Sequence, residues 1–190
     1  MSTAIHVCGN DFMARADDFV ARPWPADQSG IISIPWMLDT SGYEGSLNVN
    51  KLLSSYTEAW RLWSEVIDIA PTQVAQRSQS LVYAQFSQID GPGRILAQSH
   101  LADGRRTQKQ QWYDRGEAWD AGAIIFMLTA LHEIGHVLGL EHDPDGKVNA
   151  VMDPQYNPEM SAPRPRDIKR LLDLGYNPAP VVSPPGGGIS

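Results

Sequence analysis

The sequence predicts an α+β fold, and three observations lead there. Short strand-like runs dominate the chain up to about residue 114. A strongly amphipathic helix pattern lies among them, with one apolar face that needs a sheet to cover it. A long apolar helix and a short terminal helix follow the strands, separated by an irregular stretch.

Residues 1–29 carry few core-like runs and include Arg22-Pro23-Trp24-Pro25, so they read as a leader lying on a domain. Ile31 to Trp36 is a short apolar run suited to a buried strand. From Asn48 to Ile67, the residues Val49, Leu52, Leu53, Tyr56, Ala59, Trp60, Trp63, Val66 and Ile67 recur at helical spacing, and Pro71 comes just after. Thr72–Ala75, Leu81–Phe86, Ile95–Ser99 and Gln111–Asp114 read as further strands. Asp90-Gly91-Pro92-Gly93 is a turn by composition, and Ala102–Gln108 is a polar loop. Ala121 to Leu138 is the long apolar helix, stopped by Gly139, and Pro165–Leu174 is the terminal helix with Gly175 as its stop. The domain spans 30–176, and 177–190 is a Pro/Gly-rich tail or linker.

Composition narrows the function. Hydrophobic residues make up 42% and charged residues 19%, as in an ordinary globular protein, and 190 residues suffice for one real core. A net charge of −7 with only short, interrupted basic stretches argues against nucleic acid as partner. No apolar run approaches the length of a membrane span, so no membrane role is expected. The single cysteine, Cys8, excludes an intrachain disulfide. The opening MSTAIHVCGNDFMARADD has neither a basic n-region nor an apolar h-region, so this chain shows no signal peptide.

The stretch that carries chemistry is His132-Glu133-Ile134-Gly135-His136-Val137-Leu138-Gly139-Leu140-Glu141-His142. Two histidines four apart leave the same helix face, about 6 Å apart along the axis, and can reach one ion at about 2.0–2.1 Å. Glu133 lies beside them, placed to act as general base on water in an open coordination position. Gly139 can take the left-handed conformation that ends a helix and swings the chain back, which makes His142 the third ligand. His-Glu-x-x-His alone has roughly a 2% chance expectation in a chain of this length. The fixed offsets of Gly139 and His142 reduce that about 400-fold, so chance histidines on a buried helix do not explain the pattern.

These residues resemble the metzincin metallopeptidases, and the surrounding sequence is similar to the matrixins. Ala150-Val151-Met152-Asp153-Pro154-Gln155-Tyr156 resembles the matrixin Met-turn followed by the wall of the S1′ pocket. On that resemblance Met152 floors the zinc ligands, and Pro154 and Tyr156 border a pocket for an apolar P1′ side chain. Asp90-Gly91-Pro92-Gly93-Arg94-Ile95-Leu96-Ala97 resembles the matrixin calcium loop running into the strand beside the cleft. The resemblance implies calcium ligation by Asp90, Gly91, Gly93, Ile95, Asp114 and Glu117, and substrate contact along Ala97 to Ser99. It implies a zincin-like catalytic domain: a twisted, mostly parallel five-stranded sheet, two long helices, a C-terminal helix, and a zinc cleft between a larger and a smaller lobe. It also implies a secreted or extracellular monomer that hydrolyses protein or peptide substrates.

Three departures bear on that expectation. The positions of a second, structural zinc hold Gln98 and Trp112, leaving His100 as the one spare histidine there, so a second zinc is not expected. Asp143 follows the last zinc histidine where matrix metalloproteinases generally have Ser. The leader lacks the full latency motif and has only Cys8-Gly9-Asn10-Asp11. A thiolate in the open metal position would displace water, so Cys8 is a candidate inhibitory ligand; the alternative is an ordinary thiol. The expected function is a zinc endopeptidase, with a catalytically weak or inactive zinc-containing peptide-binding protein as the alternative.

Overall fold

Period-two alternation of apolar residues from Ile32 onward produces a strand, Ser33–Asp39, that turns Ile34, Trp36 and Leu38 inward. The computed structural model describes residues 6–8, 20–120, 125–143 and 150–181. The first four residues of the predicted apolar helix, 121–124, and most of the Pro/Gly-rich tail lie outside these. The elements run β1 (His6–Cys8), β2 (Ser33–Asp39), α1 (Val49–Ser64), β3 (Ala70–Gln73), β4 (Val82–Ser87), β5 (Ile95–Ser99), β6 (Lys109–Asp114), α2 (Phe126–Val137) and α3 (Pro165–Leu174).

The strands form one sheet in the order β1-β5-β6-β4-β2-β3. The five expected strands are β2 to β6. Neighbours β3, β2, β4 and β6 are parallel, and β5 runs antiparallel to β6. The segment read as a leader adds a sixth strand at the β5 edge, where β1 pairs in parallel with Cys8 opposite Ala97.

Both long helices pack as their patterns require. Asn48 caps α1 by accepting from the Asn50 N–H at 2.8 Å. The helix buries Leu52, Tyr56, Ala59, Trp60 and Trp63. It stops at Ser64, short of the expected Ile67, because the Val66 and Ile67 N–H groups both turn back to the Trp63 carbonyl at 3.1 Å. Trp63 Nε1 donates to the Leu131 carbonyl at 2.9 Å and ties α1 to α2. In α2 only Met127 escapes full burial, which makes it a core helix clasped on all sides. The terminal helix α3 has Pro165 in its first turn, and Asp167 accepts from the Arg164 N–H at 3.0 Å. Gly175, at φ 111°, ends it.

Trp24 joins the two ends of this arrangement. It falls within residues 1–29, yet it is only 2% exposed and packs in the main core. Its indole N–H donates to the Val137 carbonyl at 2.7 Å, at the end of α2, and its backbone N–H donates to the Tyr176 hydroxyl at 3.2 Å. Trp24→Ala removes a buried indole and leaves the Val137 carbonyl unpaired. It should destabilise the fold by about 3–5 kcal/mol, read as a lower urea midpoint with unchanged slope.

Candidate metal centre

The centre is built on the last two turns of α2. His132 and His136 lie one turn apart, both 1% exposed, with ring centroids 4.8 Å apart. Their outer nitrogens are already committed. His132 Nδ1 lies 2.7 Å from the Val151 carbonyl, and His136 Nδ1 lies 2.7 Å from the Leu140 carbonyl. A carbonyl only accepts, so each Nδ1 carries the proton and each Nε2 is left with a lone pair. Those two Nε2 atoms face each other at 3.1 Å. Two lone pairs opposed at that distance repel unless a cation lies between them. The separation also suits two nitrogens bound to one ion at about 2.0–2.1 Å.

His142 completes the set because the helix ends where it does. Gly139 adopts φ 101°. Its N–H bonds the His136 carbonyl at 2.8 Å, and the Leu140 N–H bonds the Gly135 carbonyl at 2.9 Å. This is a Schellman stop, which reverses the chain and aims the next residues back across the helix end. His142 comes to lie with its ring 5.3 Å from that of His132 and 4.9 Å from that of His136. Cys8 joins them. One ligand atom from each of Cys8, His132, His136 and His142 lies within 4.8 Å of the others. Among the described residues this is the one group of three or more His, Cys, Asp or Glu side chains able to hold a metal ion. Three imidazoles and a thiol suit zinc, so the donor set fits the metal expected from the sequence.

Glu133 sits on the inner side of the group, fully buried, with Oε2 3.8 Å from Cys8 Sγ. Burial pushes its carboxyl up to about 8, against opposing hydrogen bonds from Ser99 and Cys8. Burial likewise holds His132 down to about 3, helped by His142, and keeps His136 well below its ordinary value. Neutral imidazoles are the form that binds metal.

The floor is Met152, fully buried under α2. A Cβ on Gly135 would meet Met152 Sδ at 2.3 Å and Trp63 Cζ2 at 3.3 Å, so only glycine lets the Met-turn sit this close. Gly135 carries a local signal of this contact, since a lone glycine inside an apolar helix marks close packing.

A polar edge of α3 holds the rest. Asp167 is fully buried and accepts from the Val151 and Met152 N–H groups at 3.0 and 3.4 Å. The Val151 carbonyl is the group that orients His132. Asp143, the departure noted in the sequence, is 4% exposed and meets Arg166 through both oxygens, at 2.5 Å to Nε and 2.8 Å to Nη2. Its N–H donates to the Met152 carbonyl at 2.8 Å, and Arg170 Nη2 donates to the Glu141 carbonyl at 2.8 Å.

Other predicted residues divide between the centre and the loops. Ala97 and Ser99 lie on β5, buried, beside α2. Tyr156 accepts the Ile125 N–H at 2.8 Å, which sets it beside the start of α2; Pro154 lies two residues before it. Asp114 Oδ2 accepts from Asp90 and Gly91 at 2.9 and 2.8 Å, Glu117 accepts from Gly93 at 2.6 Å, and Asp90 accepts from the Ile95 N–H at 3.3 Å. Burial first, then the charges of Asp114 and Asp90, raise the Glu117 carboxyl above its usual range. His100 is half-buried, with Nδ1 accepting the Gln110 N–H at 3.3 Å and its ring edge-to-face with Trp112.

Comparison with known families agrees with this geometry. The family model described as matrixin matches residues 33–172, most of the chain. The chain is a matrixin. Stromelysin-1 of Equus caballus is 30% identical over 141 residues, covering 67% of this chain and 29% of that protein. Stromelysin-3 of Xenopus laevis is 29% identical over 168 residues, covering 81% of this chain and 33% of that protein. Matrix metalloproteinase-21 of Xenopus laevis is 31% identical over 141 residues, covering 67% and 22%. This matrixin therefore spans a third or less of the length of these relatives.

Asp167→Ala tests the support beneath the centre. It releases the Met-turn that orients His132 and should weaken zinc binding by about 10- to 100-fold, measured by competition with a chromogenic chelator.

Proposed function

We propose that the protein is a zinc-dependent endopeptidase, held latent in the described state by its own N-terminal segment. The observation that carries the first part is the pair of opposed Nε2 lone pairs at 3.1 Å, beside a buried carboxylate. Zinc held by His132, His136 and His142 would supply Lewis acidity, polarising a scissile carbonyl and lowering the pKa of water at the site. The chain's own groups do the rest. Glu133 takes a proton from the attacking water and delivers it to the leaving amine. Its burial suits that work in direction, because desolvation raises the carboxylate's affinity for a proton. The β5 edge offers backbone groups to an extended peptide, adding a strand to the sheet. Pro154 and Tyr156, beside the start of α2, would border the pocket for an apolar P1′ side chain.

Latency rests on β1. The strand lies along the same β5 edge, with Cys8 opposite Ala97 and its thiol among the three histidines. A Cys8 thiolate would occupy the fourth metal position, and the strand would occupy the substrate's place. Calcium belongs to the same reading: the repulsion felt by Glu117 from Asp114 and Asp90 would be relieved by a cation at the Asp90–Gly93 loop. So does secretion. Among the described residues no helix is long and apolar enough to cross a membrane.

The decisive measurement is casein digestion by the zinc-loaded protein. Glu133→Ala should keep its zinc and lose turnover by several orders of magnitude, and a chelator should stop the parent. Full turnover by the variant would sink the assignment of the base; no turnover by any form of the parent would favour a zinc-containing peptide-binding protein. Cys8→Ser should turn over casein without the lag expected of the parent, and an unchanged time course would remove Cys8 from the reading.

A further inference from the structure

A buried polar cluster is formed by β5, β6 and the two long helices. Ser99 of β5 stands directly opposite Gln111 of β6, and Ala97 stands opposite Tyr113. Opposed residues of an antiparallel pair share a face, and all four are buried. From the other side, fully buried Tyr56 of α1 reaches across and donates its hydroxyl to Gln111 Oε1 at 2.5 Å. The Tyr113 hydroxyl donates to the same oxygen at 3.4 Å. Burial raises both phenols far above their ordinary values, so both remain donors at any working pH.

These two donors fix the amide. With Oε1 taking two O–H groups, the Gln111 NH2 must point the other way, and it finds no acceptor among the described side chains or backbone. The α2 wall offers two groups in the same condition. Thr129 and Glu133 are four residues apart on one helix face, both fully buried, and neither Thr129 Oγ1 nor Glu133 Oε1 has a hydrogen-bond partner. Ser99, which stands opposite Gln111, acts on the Glu133 carboxylate, and the Glu133 charge is felt by both Tyr56 and Tyr113, so carboxylate and amide share this interior. Its other oxygen, Oε2, faces Cys8. An N–H donor, a hydroxyl and a carboxylate oxygen left together in the interior make the two to four polar contacts that one buried water needs.

We propose that Gln111 is a positioning residue for Glu133: its amide, clamped by Tyr56 and Tyr113, donates through one buried water, shared with Thr129, to Glu133 Oε1, and so turns Oε2 toward the metal. The inference rests on the reading of Glu133 as general base. A carboxylate with three rotatable bonds to its helix needs both oxygens held if one is to face substrate reproducibly. Ser99, bonded to the same carboxylate, braces it from β5.

The test is a high-resolution crystal structure of the zinc-loaded parent together with steady-state kinetics of Gln111→Met and Thr129→Val. The expected structure shows a single water within hydrogen-bond distance of Gln111 Nε2, Thr129 Oγ1 and Glu133 Oε1. Gln111→Met should lower kcat about 10- to 100-fold, with KM, zinc content and metal affinity unchanged. Thr129→Val, which keeps shape and loses only the hydroxyl, should lower kcat in the same sense and carries the kinetic test if the first variant folds poorly. A dry cluster in the parent, or full kcat in a folded variant, would overturn the proposal. A fall in zinc affinity alongside kcat would also overturn it, since the role would then be general support of the centre. Turnover by Glu133→Ala would strike the assignment of the base instead, because the water is read from electron density.

Discussion

The structure depends on two imidazole nitrogens that cannot tolerate each other alone. His132 and His136 each spend one nitrogen on a backbone carbonyl, so the remaining pair of lone pairs is forced together in the interior. Desolvation keeps both rings neutral, which removes the other escape, protonation. A divalent cation would resolve the conflict, and its binding energy would then count toward folding. Much of the surrounding architecture can be understood as maintaining that conflict. Trp63 bonds the carbonyl of Leu131 just before the motif, and Trp24 bonds the carbonyl of Val137 just after it. The two indoles hold the turn of α2 that carries His132 and His136 at both ends.

The two carbonyls that fix the tautomers come from different sources, and this divides the centre. Leu140 belongs to the helix stop itself, so His136 is oriented by local geometry at Gly139. Val151 belongs to the Met-turn, and its position is inherited from Asp167 on α3. His142 has a similar debt, since Asp143 beside it is bound by Arg166 and by the Met152 carbonyl. A helix with only Asp167 and Leu171 fully buried thus acts on the centre through the polar residues along one edge.

Legibility in the sequence follows the range of the interactions. The convergence of the three histidines, Gly139 and the helix ends were readable because spacing along one chain segment sets them; Gly139 and Gly175 both take the positive φ expected of helix stops. The strands β2 to β6 were readable from short apolar runs bounded by turn residues. What escaped depends on partners distant in sequence. Trp24 sits in a Pro-rich stretch without periodicity, and its burial exists only because α2 and Tyr176 meet there. The pairing of β1 with β5 leaves no mark in a three-residue run. Gln111 looked like part of a strand, and nothing local announces that two tyrosines, one on another element, converge on its amide. Asp143 was noticed as a departure, but its partner lies 23 residues away on another helix.

The contact between the Trp24 backbone and the Tyr176 phenol has an architectural consequence. It brings the two ends of the stretch from Trp24 to Tyr176 to the same place. A circular permutant closed there would keep β2 to β6 continuous and would part β1, with Cys8, from the rest of the sheet.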